Sequence, residues 1–270
     1  MTSILVLAAS GKTGRRIVPR LQAAGHSVKA ASRSSEVRFD WTDRSTWSGA
    51  LSGTTAVYLV VPDEPVAVDD FVQQAVAAGV TRFVALSGRG VDIYKVPGMH
   101  AAEEAVRASG VEWTILRANN FAQNFDEDLW LAPLQEGELA LPIKDERDPF
   151  VDLEDVADVA AAVLTEDGHA GRVYELSGPR ALDFGEAVDL VAKATGRTIR
   201  FVSQSSEEYV AGQVARGVPA EAAQFLDMIM GVLRDGHIAA VTDGVRQVLG
   251  REPRSFESYV ERTAATGVWG

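Results

Sequence analysis

The segment that most restricts the fold of this chain lies at its start. An unbroken apolar run, Ile4 to Ala9, leads directly into Ser10-Gly11-Lys12-Thr13-Gly14 and then into a helical pattern. A strand with one wet face alternates polar and apolar residues, so a continuous run of this length predicts a strand covered on both faces. Ile17, Leu21 and Ala24 then fall on one face of a helix that closes at Gly25. Pro19 lies inside that helix and is expected either to kink it or to be tolerated near its first turns. A glycine-rich turn between a buried strand and a helix allows a tight reversal. It also lets an anionic ligand approach backbone amides at the helix N-terminus. Ser10, Gly11, Lys12, Thr13 and Gly14 are therefore the candidate cradle for a dinucleotide pyrophosphate, the alternative being a ligand-free turn of the same composition.

The strand–helix rhythm continues through the first half. Ser27–Ser32, Val37–Phe39, Ala56–Val61, Arg82–Leu86 and Trp113–Arg117 read as strands, with helical patterns around Ser45–Leu51, Val68–Ala78 and Met99–Ala108. Alternation at this spacing requires right-handed crossovers and a parallel sheet. After about residue 125 the rhythm changes. Asp126 to Arg147 carries Trp130, Pro133, Gly137, Pro142 and several charges, and reads as an excursion outside the sheet. Pro149–Val151 and Arg172–Leu176 return to strand, and Asp152 and Asp155 read as caps of the helix between them rather than as a catalytic pair. The remainder is mainly helical, with one strand at Thr198–Ser203. The expected architecture is α/β, a Rossmann-type doubly wound parallel sheet with a smaller, mainly helical C-terminal substrate domain. Residues 1–125 with 148–178 form the dinucleotide-binding domain, and 126–147 with 179–270 the cap.

Charge and composition exclude several function classes. With 38 acidic against 26 basic side chains the net charge is −12, which repels nucleic acid and anionic membrane surfaces. There is no cysteine, so disulfides, thiolate catalysis and cysteine metal sites are excluded. His26, His100, His169 and His237 are too scattered for a helical metal pair, and no metal is expected. The Ile4–Ala9 run is too short to span a bilayer, so the chain reads as cytoplasmic, a monomer or homodimer acting on a small molecule.

Cofactor choice is read at the end of the second strand. A site built for NAD places an acid there to bind the ribose hydroxyls. Here the segment is Ala30-Ala31-Ser32-Arg33-Ser34, and Arg33, about twenty residues past the glycine turn, offers a planar fork of donors for a 2′-phosphate. NADP(H) is the expected cofactor, unless Arg33 is only a solvated surface arginine. Val61 and Pro62 end the fourth strand, where strand C-termini line the crevice of such a sheet.

Several further segments lie in a recognisable order: SGKTGRR, FDWTDRSTW, AVYLVVPD, RFVALSGRG, EWTILRANNF with QNF, FVDLEDVADVA, YELSGP and LGREPRSFESYV. Together they resemble the NmrA-like branch of the atypical short-chain dehydrogenases/reductases, which includes triphenylmethane reductases and quinone oxidoreductases. The resemblance implies a seven-stranded Rossmann domain with a smaller C-terminal substrate domain. It also implies that Asp40 contacts the adenine, that Ser87 occupies the superfamily's serine position and, without a tyrosine partner, positions a substrate or the nicotinamide rather than transferring a proton, and that Asn119, Asn120 and Phe121 lie against the nicotinamide. Gln123, Asn124 and Phe125 are candidates to line the substrate mouth. For Asp40, Ser87 and the Asn119–Phe125 segment an ordinary loop, turn or core role remains the alternative.

Two departures stand out. The first glycine of a G-x-x-G-x-x-G turn is Ala8 here. The superfamily's Y-x-x-x-K pair is also missing, as it commonly is in this branch; Tyr94 is followed directly by Lys95, which cannot share its helical face. His100, at the start of the helix that would carry that pair, is the remaining candidate proton donor, because imidazole titrates near neutrality. It could equally be a solvated helix-start histidine. The expected activity is NADPH-dependent reduction of a small aromatic or quinonoid acceptor. The alternatives are a redox sensor that binds NADP(H) without turnover, and a biosynthetic ketoreductase or epimerase.

Overall fold

A computed structural model describes residues 2–62 and 64–270. The strands, in chain order, are β1 (Ser3–Val6), β2 (Ser27–Ser32), β3 (Val37–Arg38), β4 (Ala56–Leu59), β5 (Arg82–Gly88), β6 (Glu112–Ala118), β7 (Glu138–Leu141), β8 (Arg147–Asp148), β9 (Arg172–Leu176), β10 (Leu182–Asp183) and β11 (Arg200–Ser203). The helices are α1 (Gly14–Ala23), α2 (Trp47–Leu51), α3 (Val68–Ala77), α4 (Val91–Tyr94), α5 (Pro97–Ala108), α6 (Leu131–Glu136), α7 (Leu153–Thr165), α8 (Phe184–Thr195), α9 (Ser206–Ala215), α10 (Ala220–Arg234), α11 (Gly244–Leu249) and α12 (Phe256–Ala264).

Seven strands form one parallel sheet in the order β3-β2-β1-β4-β5-β6-β9. The order reverses between β1 and β4, and ligands of doubly wound sheets bind outside the strand C-termini at such a switch point. The apolar runs are buried as a two-sided sheet requires: Ile4 to Leu7, Ala56 to Leu59 and Phe83 to Ala85 are at most 1% exposed. Leu5, Leu7, Val57, Leu59, Phe83 and Ala85 pack with the aromatic side chains of Phe39, Trp47 and Phe71 on one face. On α1, Ile17 and Leu21 are buried, and Arg16 and Arg20 reach across to Glu154 and Asp158 of α7. Pro19 is tolerated: α1 runs through it to Ala23 although proline cannot donate to the Arg15 carbonyl.

The chain divides into two compact units, residues 1–118, 153–176 and 243–252, and residues 119–152, 177–242 and 253–270. Residues 119–125 and 148–152 thus group with the second unit, and 243–252 with the first. The second unit has its own core, in which Phe125, Trp130, Phe150, Phe184 and Phe256 make edge and tilted ring contacts at 4.8 to 6.3 Å. Two small ladders support it, β8 against β10 and β7 alongside β11.

Local differences from the sequence reading have physical causes. β1 ends at Val6, because Ala8 has a left-handed φ of 50° that no strand can continue. Leu7 and Ala9 nevertheless donate to Tyr58 and Ala31 on the flanking strands, so the sheet holds the turn from both sides. Pro149–Val151 is reduced to a bridge between Phe121 and Val151, since Pro149 has no N–H; the strand falls instead at Arg147–Asp148. The excursion after residue 125 contains β7, which pairs with β11 in parallel register from Glu138–Arg200 to Leu141–Ser203.

Candidate functional site

The turn from β1 to α1 is built by its own atoms before any ligand is considered. The Gly11 amide donates to the Ala8 carbonyl at 2.8 Å, closing the reversal. A Cβ on Gly14 would overlap the Ala8 carbonyl oxygen and stand 2.6 Å from the Ala9 Cα. Gly14 is therefore needed for α1 to pack against the turn, not only for a phosphate to approach. Arg16 fixes the far side, donating from one guanidinium nitrogen to the Lys12 carbonyl and from another to Glu154, both at 2.8 Å. Thr13, buried at the N-terminus of α1, makes no side-chain cap, which leaves that ten-residue helix end to backbone and dipole alone.

In front of the turn lies a cavity of about 780 Å³, lined among others by Ala8, Ser10, Gly11, Arg33, Asp40, Trp41, Val61 and Pro62. Arg33 is exposed there and forms no salt bridge within 4.0 Å among the described residues; only its field reaches Asp40. Asp40 sits in a tight turn in which the Thr42 amide and hydroxyl both donate to Oδ1, at 2.9 and 2.8 Å. The Thr42 backbone bond, then its hydroxyl, hold the Asp40 carboxyl below the usual carboxylate range, with Arg33 and Arg38 adding to the effect. An ionised carboxylate accepts and cannot donate, which suits an exocyclic amine. Trp41, Thr42 and Val60 join the cavity although the sequence reading did not name them. The Trp41 indole donates to the Val60 carbonyl at 3.2 Å and packs edge-on to Phe39 and Phe71. A second cavity of about 790 Å³ opens at the opposite, N-terminal ends of the strands. Its arginine, Arg82, is taken up by Glu112 and Asp167, so it offers no unspent cation.

At the C-terminal end of β5, Ser87 is buried and its hydroxyl donates to Glu103 Oε1 on α5 at 2.7 Å. Arg117 of β6 donates to both Glu103 oxygens, at 2.8 and 2.7 Å, and pairs with Asp92. Burial pushes the Glu103 carboxyl up, but the Arg117 and Ser87 hydrogen bonds outweigh it and hold the group below its ordinary range. His100 is placed differently from Glu103. Its Nδ1 lies 3.3 Å from exposed Glu104 one helical turn on, while Met99 is the side chain whose sulfur would meet a Cβ on Gly88, at 3.4 Å. Tyr94 ends α4 and Lys95 has a left-handed φ of 46°, so the two diverge.

The segment after β6 belongs to the second unit, and its amides are engaged within that unit. Asn119 donates to Asp148 Oδ1 at 2.8 Å and to the Ile238 carbonyl at 3.0 Å, and Asn120 donates to Asp148 Oδ2. Asp148 is completely buried. Gln123 donates to buried Asp152, which also receives Arg262. Asn124 is 7% exposed, and Phe121 bridges to Val151. Asp152 and Asp155 are both buried, and Asp155 pairs with Arg251 at 2.8 Å. Among the described residues no cluster of acids and histidines could hold a metal, and no helix is long and apolar enough to cross a membrane.

The turn and its cavity fit a dinucleotide by chemistry, with an uncapped helix end, an accepting carboxylate and an exposed guanidinium on one wall. Comparison with known proteins agrees. A family model described as NAD(P)H-binding matches residues 8–167. The chain is 33% identical over 275 residues to a (4-alkanoyl-5-oxo-2,5-dihydrofuran-3-yl)methyl phosphate reductase of Streptomyces griseus, covering 95% of this chain and 96% of that one. It is 28% identical to an NAD(P)H azoreductase of Xenophilus azovorans, covering 97% and 98%. Its fold is similar to that of the Citrobacter triphenylmethane reductase solved with NADP(H), with a TM-score of 0.80, 22% identity and coverage of 97% and 99%. The chain belongs to the NAD(P)H-binding family, as an NmrA-like atypical short-chain dehydrogenase/reductase and an NAD(P)H-dependent oxidoreductase.

Proposed function

We propose that this oxidoreductase uses NADPH in preference to NADH and reduces a small aromatic or quinonoid acceptor. The observation that carries the cofactor choice is Arg33, an exposed guanidinium on the wall of the cavity in front of the glycine turn, where an NAD-selective site would place an acid. Ser10, Gly11, Lys12, Thr13 and Gly14 would hold the pyrophosphate end, Asp40 the adenine, and Val61 and Pro62 the crevice wall beyond. When bound, the reduced nicotinamide supplies the hydride. The chain's own contribution is to bind and orient, which accounts for a site with no tyrosine–lysine pair. Asn119 would border the cofactor and Asn120, Phe121, Gln123 and Asn124 the substrate side, with Asn119, Asn120 and Gln123 also holding Asp148 and Asp152. His100, with Nδ1 3.3 Å from Glu104 one helical turn on, is the candidate proton donor, solvent being the alternative source.

The acceptor class is supported by relatives named for an azo and a triphenylmethane reductase. Its test is steady-state oxidation of NADPH with a soluble quinone and with an azo dye. Multiple turnovers with either acceptor, and slower turnover with NADH, are expected. Stoichiometric binding of NADPH without its consumption would favour a redox sensor instead.

A further inference from the structure

The buried Ser87–Glu103–Arg117 arrangement is not used by the reading above, and its hydrogen-bond polarity is unambiguous. Glu103 is 4% exposed and receives Arg117 on both oxygens. Arg117 is itself clamped from the other side by Asp92, at 2.5 and 2.8 Å. A carboxylate so held between guanidinium donors stays ionised, and an ionised carboxylate is an acceptor only. The single proton of the Ser87 hydroxyl is therefore committed to Glu103, at 2.7 Å. What Ser87 retains is two lone pairs.

We propose that Glu103 is a positioning residue that fixes Ser87 as a hydrogen-bond acceptor, so that Ser87 recognises the N–H of the nicotinamide carboxamide and does not polarise an acceptor's carbonyl. The placement fits, because β5 lies in the second half of the doubly wound sheet, the half that takes the nicotinamide nucleoside, and Ser87 stands at that strand's C-terminal end. One turn before Glu103 on α5 stands Met99, whose sulfur would meet a Cβ on Gly88 at 3.4 Å and which neither donates nor titrates. A serine with its proton spent, beside a thioether, cannot protonate or polarise a carbonyl oxygen. The inference rests on the proposal that this crevice binds NADP(H), and the experiment separates the two.

The probe pair is NADP⁺ and its 3-acetylpyridine analogue, which carries a methyl ketone in place of the carboxamide and so has no N–H. Both are titrated into the full-length protein by calorimetry. The parent is expected to bind NADP⁺ about fivefold more tightly than the analogue, the scale of one neutral hydrogen bond. Ser87→Ala should bring that ratio to about one. Glu103→Ala should shrink the ratio in the same way without touching Ser87: it removes the oxygen that takes the serine proton, so the hydroxyl is no longer fixed as an acceptor, while Arg117 keeps Asp92 as its partner. The double variant should add nothing further, since both substitutions act through one hydroxyl. Thermal melting of each variant separates loss of fold from loss of discrimination, and Ser87→Ala, which removes one oxygen, keeps the test open if Glu103→Ala does not fold. Equal binding of the two ligands by the parent, or full discrimination retained by either folded variant, overturns the positioning role while leaving NADP(H) binding intact. Failure of the parent to bind NADP⁺ overturns both readings.

Discussion

The β1–α1 turn with its cavity and the Asn119–Phe125 segment both carry family motifs, yet the structure treats them in opposite ways. At the turn the Gly11 amide is taken up by the Ala8 carbonyl, while the Arg33 guanidinium in front of it stays exposed. In the other segment the side-chain amides are turned inward onto buried Asp148 and Asp152. A motif residue can therefore be kept for a ligand or for a neighbour, and the sequence alone does not distinguish them. The contrast also separates what a side-chain truncation should damage: affinity at Arg33, stability at Asn119.

The largest effect is expected at Gly14. Gly14→Val forces a side chain into the Ala8–Ala9 backbone, so α1 must shift off the turn. Overpacking of this kind costs about 1–3 kcal/mol or more, and NADPH binding should vanish in a fluorescence titration. A variant that kept both its parental melting temperature and its affinity would show that α1 does not depend on this close approach.

Next comes Asn119→Ala, which strips a hydrogen bond from a buried carboxylate. The loss should be about 2 kcal/mol of stability in urea unfolding, with a much smaller change in NADPH affinity. A large affinity loss at unchanged stability would return Asn119 to the cofactor and erase the contrast between the two regions.

How much of this was legible in advance follows from which interactions are local. The parallel sheet was readable because strands buried on both faces are written as unbroken apolar runs, as at Ile4–Leu7 and Ala56–Leu59. β7 was not, because Glu138-Leu139-Ala140-Leu141 is a short, half-polar stretch whose partner lies some sixty residues on. The turn and Arg33 were likewise readable from strand–turn–helix order. The fates of Asp152 and Asp155 were not: their partners, Arg262 and Arg251, are distant in sequence and meet them only through the fold. Glu103 gave no signal for the same reason, since a glutamate in a helix looks solvated until Arg117 and Ser87 are placed against it.

A smaller effect concerns pH. Burial pushes the Glu154 carboxyl up, but hydrogen bonds from Arg20 and Arg16 outweigh it, so its folded value lies below the ordinary one. A depressed carboxyl contributes stability that is present above its unfolded pKa, about 4.5, and lost as pH falls through the folded value. Parent protein should thus lose melting temperature on acidification below about pH 4.5. Glu154→Gln should be less stable at pH 7 and show a shallower acid loss. Parallel curves for the two proteins would remove this ion cluster from the account of what braces the turn.

The smallest effect is at Ala8, whose left-handed φ suits glycine. Ala8→Gly relieves that strain but frees the unfolded chain, so a net gain of about 0.5–1 kcal/mol is expected. Differential scanning calorimetry should register it as a modest rise in melting temperature. A lower melting temperature would mean that the alanine methyl makes contacts worth more than the strain.

The most direct test of the central claim, that the cavity before the glycine turn holds NADP(H) through Arg33, is calorimetric titration of parent and Arg33→Ala with both cofactors. The parent should bind NADPH more tightly than NADH. The variant should lose about 1–3 kcal/mol toward NADPH, the scale of a charge-assisted hydrogen bond, and almost nothing toward NADH. Equal losses for both cofactors, or no loss for either, would contradict the assignment of Arg33 to the 2′-phosphate.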